Sequence, residues 1–225
     1  MALPPDIVQA LVRAIELKDL STAAHTWRVV LYTRALTEAL GLSHEVVERA
    51  SAAAALHDVG KVDIPDAILQ KPGKLTDEEF AIIKTHPAIG HERLVSMGED
   101  DPLVLELVRH HHEREDGKGY PDGVSGAQLP MAARYFSVVD TFDALTSVRP
   151  YRREIGPQAA ENAVRELEAG IGSRYNEDCV RAFVELYRQG ELGWILEYYN
   201  DRAELETFGG VGHAAAAVQG KKKKS

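Results

Sequence analysis

A histidine and an aspartate stand side by side in the segment "LHDVGKVDIPD", which begins at Leu56. Imidazole nitrogen and carboxylate oxygen bind divalent transition metals, and both groups also carry protons in acid–base catalysis. Steps of three and four from Val46 and Ala50 predict that His57 and Asp58 continue the inward face of a helix. A buried carboxylate is costly unless it is paired or bound to a cation, so the pair indicates a metal or acid–base site.

Other predicted helices also place a metal-capable side chain on an apolar face. His25 shares a face with Tyr32, Asp140 shares one with Phe136, and two histidines ride on the apolar stripe of the helix that precedes them. His110 falls off that stripe and is predicted to face solvent. The inward-facing metal-capable residues are His25, His57, Asp58, His86, His111, His112 and Asp140.

Two explanations compete for these side chains. A single buried histidine is more often a core residue that hydrogen-bonds to a backbone carbonyl. Seven inward imidazoles and carboxylates are harder to satisfy separately in a helical bundle, whereas metal ions neutralise carboxylates and bind neutral imidazole. The set predicts two metal ions that share a bridging ligand, and Asp58 is the predicted bridge.

The elements that would position these residues are helical. A capping-box pattern at Thr76 and Glu79 precedes a helix that carries Ile82, Ile83 and His86. Strand patterns are nearly absent, so the predicted fold class is all-α. Further helices are predicted at about 7–17, 22–40, 43–58, 101–113, 131–147, 157–169 and 177–189, and the glycine- and proline-rich stretch 114–130 is predicted to be a functional loop.

Composition limits the function classes. The chain has 225 residues, 44% hydrophobic and 27% charged, which is typical of a globular domain. We expect one domain at 1–205 and a flexible low-complexity tail at 206–225. A single cysteine, Cys179, excludes a cysteine-rich metal site, and a net charge of −9 argues against nucleic acid as a partner. No membrane-spanning run or signal peptide is found, so a cytoplasmic location without membrane attachment is expected.

Several motifs in order resemble the HD superfamily of metal-dependent phosphohydrolases, and within it the HD-GYP cyclic-di-GMP phosphodiesterases. They are "HTWRV" from 25, "LHDVGKVDIPDAILQKPGKLTDEE" from 56, "HPAIG" from 86, "HHEREDGKGYPDG" from 111 and "DTFDALTSVRPYR" from 140. The resemblance covers about 25–153 and implies an HD-domain-like helical bundle with additional C-terminal helices. It also implies the same seven metal ligands that the helix faces select.

The resemblance also assigns the remaining site residues. Lys61 would act with Asp58 in catalysis and would hold substrate phosphate together with Arg149 and Arg152. Tyr120 would lie near the guanine base, or the Gly119–Tyr120–Pro121 loop would dock a partner such as a diguanylate cyclase. A homo-oligomer is a further expectation.

The expected cofactors are two divalent metal ions, with iron or manganese favoured by the family likeness. Some family members hold a third metal through a glutamate one turn before the first histidine, but this chain has Ser21 there. The implied reaction is hydrolysis of cyclic-di-GMP to pGpG, with possible onward cleavage to GMP, by a hydroxide between two metals. The alternatives are an HD phosphohydrolase acting on another cyclic dinucleotide or nucleotide, and a catalytically idle module that senses cyclic-di-GMP.

Overall fold

The computed structural model describes residues 3–18, 22–147 and 157–200, and within these ranges it is helical without a β-strand. An isolated bridge joins Ile171 and Tyr175. The predicted all-α class is therefore confirmed. The helices are α1 (Pro5–Lys18), α2 (Thr22–Ala39), α3 (His44–Leu56), α4 (Asp66–Leu69), α5 (Asp77–Ile83), α6 (His86–Ser96), α7 (Pro102–His110), α8 (Met131–Thr146), α9 (Pro157–Ala169), α10 (Glu177–Arg188) and α11 (Gly193–Asn200).

The core forms around α2, which packs against α3, α8 and α10. Tyr32 and Leu36 are fully buried on its inward face, as the helical period predicts. Ala50, Ala53 and Ala54 are fully buried on α3, and their small side chains allow α2 and α3 to approach closely. None of the described helices is both long and apolar enough to cross a lipid bilayer.

Side-chain caps define where the helices begin. Thr76 accepts the N–H of Glu79 at 3.2 Å, and Glu79 accepts the N–H of Thr76 at 2.7 Å, so the predicted capping box is present. Asp101 caps α7 by accepting the N–H of Leu103 at 2.9 Å. The prediction that one helix carries Ile82, Ile83 and His86 is wrong, because α5 ends at Ile83 and α6 begins at His86.

A close backbone approach fixes α6 relative to the chain that follows α3. A short 3₁₀ helix (Val59–Asp63) packs against α6, and Gly60 lies on the main chain at the start of α6. A Cβ at Gly60 would collide with the carbonyl oxygen of His86 and would lie 2.6 Å from the backbone nitrogen of Gly90. Only glycine allows this approach, which brings His86 next to Asp58.

We expect Gly60→Ala to lower the free energy of unfolding by about 1–3 kcal/mol, because backbone atoms have no alternative rotamer to relieve the overlap. Urea unfolding of the metal-free protein measures this effect. Gly193→Ala is the matched control, since a Cβ at Gly193 meets no atom within 4 Å. Its free energy of unfolding should change by no more than about 0.5 kcal/mol. Equal stability of the two variants would contradict this account of Gly60.

Candidate metal centre

Three histidines of the site stand at helix ends, and each is oriented by a main-chain carbonyl three residues earlier. His57 follows α3, His86 opens α6 three residues after the last residue of α5, and His111 follows α7. Carbonyl groups in the last turn of a helix lack an intrahelical partner, so they are available as acceptors. The Nδ1 contacts are His57 to the oxygen of Ala54 at 2.7 Å, His86 to that of Ile83 at 2.8 Å and His111 to that of Val108 at 2.9 Å.

These contacts determine which ring nitrogen can bind a metal. A carbonyl oxygen only accepts hydrogen bonds, so Nδ1 carries the hydrogen in each of the three rings. A neutral ring of this kind presents Nε2 as a lone pair, which is the form that binds metal ions.

The first cluster consists of His25, His57 and Asp58, whose ligand atoms lie within 4.8 Å of one another. The Nε2 atoms of the two histidines are 3.3 Å apart, and Nε2 of His57 is 3.1 Å from Oδ2 of Asp58. All three residues are buried. Asp140 lies at the edge of this cluster, with its Oδ1 3.7 Å from Nε2 of His25.

The second cluster consists of His86, His111 and His112. Nε2 of His86 is 3.1 Å from Nε2 of His111. Two neutral rings that both donate through Nδ1 have no hydrogen to place between these atoms, whereas a cation would satisfy both lone pairs. Taken together, the two clusters offer nitrogen and oxygen as metal-ligand atoms and no sulfur, which suits iron, manganese, zinc, cobalt or nickel.

Asp58 stands between the two clusters. Its Oδ2 faces His57, and its Oδ1 lies 3.2 Å from Nε2 of His86. Lys61 donates to Oδ2 at 2.7 Å. One carboxylate therefore presents a different oxygen to each cluster, which is one of the ways in which a carboxylate can bridge two metal ions.

Charge and burial set the protonation states around Asp58. Burial alone would raise the pKa of Asp58, but His57 and Lys61 outweigh it and hold that pKa well below its ordinary value. Burial also disfavours the charged form of His57, but the Asp58 carboxylate outweighs burial and raises the pKa of His57. A metal ion entering the first cluster would therefore compete with a proton.

The second cluster is electrostatically different. Burial lowers the pKa of His112 to about 3, opposed by Asp140 and aided by His86. Burial, followed by the neighbouring His112 and His86, also holds the pKa of His111 well below its ordinary value. These two rings are neutral at physiological pH, as metal ligands need to be.

A buried ion pair that the sequence analysis did not assign to the site orients His25. Nδ1 of His25 donates to Oδ2 of Asp143 at 2.7 Å, and Arg28 binds the same carboxylate through both Nε and Nη2. Ser147 completes the network, with its Oγ 2.9 Å from Asp143 and 2.6 Å from Arg28. Asp143 is fully buried, and although burial opposes ionisation, His25 and Arg28 hold its pKa well below the ordinary value.

Tyr120 covers the second cluster. Its ring lies 4.8 Å from that of His112, at an interplanar angle of 35°. Burial, followed by the charges of Asp140 and Asp58, raises the pKa of Tyr120. The predicted loop 114–130 thus brings an aromatic ring to the metal-capable residues.

The observed helix ends differ by two or three residues from the predicted ones, and some predicted residues fall outside the described part of the chain. The helices predicted at 43–58 and 101–113 end at Leu56 and His110, so His57, Asp58, His111 and His112 lie just past helix ends. The side chain of His110 is 16% exposed and contacts Asp122, so it does not simply face solvent. Of the residues and segments named in the sequence analysis, Ser21, Arg149, Arg152 and the predicted tail 206–225 lie outside the described ranges.

The two clusters bring together buried imidazoles and a carboxylate from helices far apart in sequence, an arrangement that is typical of helical metalloproteins. A family model described as HD domain matches residues 9–178. The chain belongs to the HD-domain family, which confirms the predicted resemblance. HD-domain phosphohydrolases are metal-dependent, in agreement with the two clusters.

Curated relatives carry more specific names. The chain is 37% identical over 219 residues to a cyclic di-GMP phosphodiesterase of Thermotoga maritima, covering 96% of this chain and 57% of that protein. It is 42% identical over 180 residues to the cyclic di-GMP phosphodiesterase response regulator RpfG of Xanthomonas campestris pv. campestris, covering 80% of this chain and 47% of that protein. It is 37% identical over 181 residues to 3'3'-cGAMP-specific phosphodiesterase 2 of Vibrio cholerae, covering 80% and 34%.

The chain therefore spans about half the length of the first two relatives. A solved structure described as a cyclic GMP-AMP specific phosphodiesterase of V. cholerae, V-cGAP3, shares the fold with a TM-score of 0.64. Its identity is 15%, with 92% of this chain and 54% of that chain covered.

Proposed function

We propose that this chain is a metal-dependent phosphodiesterase that hydrolyses cyclic-di-GMP to pGpG, with possible onward cleavage to GMP. The observation that carries the proposal is the position of Asp58, which offers one oxygen to each of two metal-capable clusters in an HD domain. Relatives named cyclic di-GMP phosphodiesterase at 37% and 42% identity support the substrate.

Two divalent ions per chain, iron or manganese, would occupy the site. His25, His57 and Asp140 would hold one ion, and the second cluster would hold the other, with Asp58 shared between them. Bound divalent cations lower the pKa of a coordinated water and neutralise charge on a phosphodiester.

The chain's own residues would bind and orient the substrate. Tyr120 offers an aromatic face for a guanine base. Lys61, which donates to Oδ2 of Asp58 at 2.7 Å, is a proposed phosphate ligand beside the metal-capable residues. Arg149 and Arg152 are the further proposed phosphate ligands. Hydrolysis adds water across one phosphodiester: the bond from phosphorus to the 3′ oxygen breaks, that oxygen takes a proton, and a 5′-phosphate remains.

A second candidate substrate is cyclic GMP-AMP, because a relative specific for 3'3'-cGAMP is as similar, at 37%, as the relative from T. maritima. Both substrates contain guanine and the same phosphodiester linkage, so the metal centre does not distinguish them. Docking of a diguanylate cyclase on the Gly119–Tyr120–Pro121 loop, homo-oligomer formation and the domain boundary at 205 stay predictions.

The proposal is tested with protein purified anaerobically. Metal content per chain is measured, and cyclic-di-GMP, 3'3'-cGAMP and pGpG are followed by chromatography for the wild type and for His57→Ala. We expect about two metal ions per wild-type chain, because two cations can stabilise both the attacking and the leaving oxygen. Preferred turnover of cyclic-di-GMP is expected from the relatives of that name at 37% and 42% identity. His57→Ala should lower turnover on the order of 100-fold or more, because a lost ligand removes several kcal/mol of transition-state stabilisation.

His44→Ala is the matched control, since the side chain of His44 is 83% exposed and lies at the opposite end of α3 from His57. It should retain metal and turnover. Faster turnover of 3'3'-cGAMP would favour the second candidate. Tight binding of cyclic-di-GMP without hydrolysis by metal-loaded protein would contradict the enzyme and favour a sensor.

A further inference from the structure

The loop that carries Tyr120, residues 117–123, is held against the chain just after α7. A Cβ at Gly119 would lie 2.6 Å from the carbonyl oxygen of His112, so only glycine permits the observed approach. The N–H of Tyr120 is 3.3 Å from that same oxygen. Glu113 is buried and accepts the N–H groups of Asp122 and Gly123 at 2.6 and 2.8 Å.

A separate contact holds the loop through a side chain. Arg109, in the last turn of α7, binds the carboxylate of Asp122 through Nε at 2.7 Å and through Nη2 at 2.8 Å. Nε2 of His110 lies 3.1 Å from Oδ2 of the same carboxylate. The bidentate geometry fixes both distance and orientation, which a single contact does not. Asp122 is two residues from Tyr120, so this contact limits where the ring can lie.

We propose that the Arg109–Asp122 pair is a positioning device that sets the ring of Tyr120 over His112 and thereby tunes the binding of the nucleotide base. This inference rests on the proposed function for its ligand, a guanine-containing cyclic dinucleotide. Stacking on an aromatic ring requires a defined ring position, because the bound base must lie parallel to the ring at contact distance. Neither residue of the pair touches the clustered ligand atoms, so the pair acts on binding rather than on the hydrolytic step.

The partial exposure of Arg109 and Asp122 indicates that the pair positions the loop rather than stabilising the whole fold. The side chains of Arg109 and Asp122 are 29% and 32% exposed. Partly exposed ion pairs contribute about 1 kcal/mol or less to global stability, and the bidentate geometry places this pair near the upper end of that range. The backbone contacts of Glu113 do not depend on the Asp122 carboxylate, so they persist when that carboxylate is replaced. Loss of the pair should therefore loosen the loop without unfolding the protein.

The test uses the metal-loaded protein with the substitutions Arg109→Gln and Asp122→Asn, singly and together. Three quantities are measured: hydrogen exchange of amides 117–123, the Kd of a phosphorothioate analogue of cyclic-di-GMP, and kcat and KM for cyclic-di-GMP. We expect each single variant to speed exchange in the loop and to raise Kd and KM by about 5-fold, with kcat within about 2-fold of the wild type. The double variant should be no weaker than Asp122→Asn alone, because both substitutions remove the same contact.

Arg188→Gln is the matched control. It removes an ion pair with Glu168 at 2.8 Å that joins α10 to α9, and exchange, Kd and KM should stay at wild-type values. Wild-type loop exchange in both single variants, additive effects in the double variant, or a fall in kcat at constant KM would each overturn the proposal. If the wild type neither binds nor hydrolyses the dinucleotides, the proposed function fails, while the exchange data still decide whether the pair orders the loop.

Discussion

Asp58→Asn is expected to lower phosphodiesterase turnover at least about 1000-fold and to reduce the metal content from about two ions per chain to about one. An amide offers one acceptor oxygen, and its NH2 group donates. It therefore cannot present an oxygen to His57 on one side and to His86 on the other, as the Asp58 carboxylate does at 3.1 and 3.2 Å. Metal analysis of the purified variant and turnover of cyclic-di-GMP measure the two effects.

Glu99→Gln is the matched control for loss of a buried negative charge. Glu99 is 5% exposed and accepts the N–H groups of Leu3, Asp100 and Asp101, so it has a structural role away from the clusters. This variant should bind two metals and turn over as the wild type does. Two firmly bound metals and full activity in Asp58→Asn would show that the carboxylate is not a bridge.

Asp143→Asn is expected to weaken metal binding at the first cluster by about 10- to 100-fold, because Asp143 orients His25. The free energy of unfolding should also fall by about 3–5 kcal/mol, because breaking a buried ion pair by removing one of its two charges is strongly destabilising. Arg28 is only 3% exposed, so the pair lies in the protein interior. Metal titration followed by activity measures the first effect, and urea unfolding of the metal-free protein measures the second.

Asp101→Asn provides the comparison for Asp143→Asn. Asp101 pairs with Arg49, whose side chain is 36% exposed, and asparagine can still cap α7. Its loss of stability should be no more than about 1 kcal/mol, with metal affinity unchanged. Excess metal should restore activity to Asp143→Asn but not to Asp58→Asn. Equal behaviour of Asp143→Asn and Asp101→Asn would remove Asp143 from the support of His25.

Helical periodicity predicted which residues face inward, because burial follows the 3.6-residue repeat wherever a helix continues. His25 is an example: Tyr32 and Leu36 on its face of α2 are fully buried, and His25 itself is 8% exposed. The capping box at Thr76 was predictable for a similar reason, since both of its hydrogen bonds are local in sequence. The fold class followed from the absence of strand alternation.

Helix ends were less predictable, because apolar periodicity does not show where a helix stops. The pattern through Ala54 and His57 continues past Leu56, although the chain there passes into a 3₁₀ helix. His86 was grouped with Ile82 in the same way, although α5 ends between them. The residues that converge were nevertheless identified, because their side chains point inward on either side of a helix end.

The pairing of Arg28 with Asp143 was missed because the helical period places Asp143 on the inward face beside Asp140 but does not show which residue of another helix it meets. The available signal was spacing. Arg28 stands three residues after His25 on α2, and Asp143 stands three residues after Asp140 on α8. Helices α2 and α8 pack together, so the two same-face pairs meet. Each spacing is local in sequence, but the prediction that the two pairs meet requires the knowledge that α2 packs against α8.

The carbonyl acceptors of His57, His86 and His111 belong to the main chain, so every amino acid at positions 54, 83 and 108 supplies the same oxygen. Substitutions at these three positions therefore keep the hydrogen bond that orients each ring. His25 is the exception among these four rings, because its acceptor is the side chain of Asp143. A substitution can therefore change the Nδ1 partner of His25, and with it the basicity of that ligand, but no substitution at positions 54, 83 and 108 removes the acceptor of the other three rings.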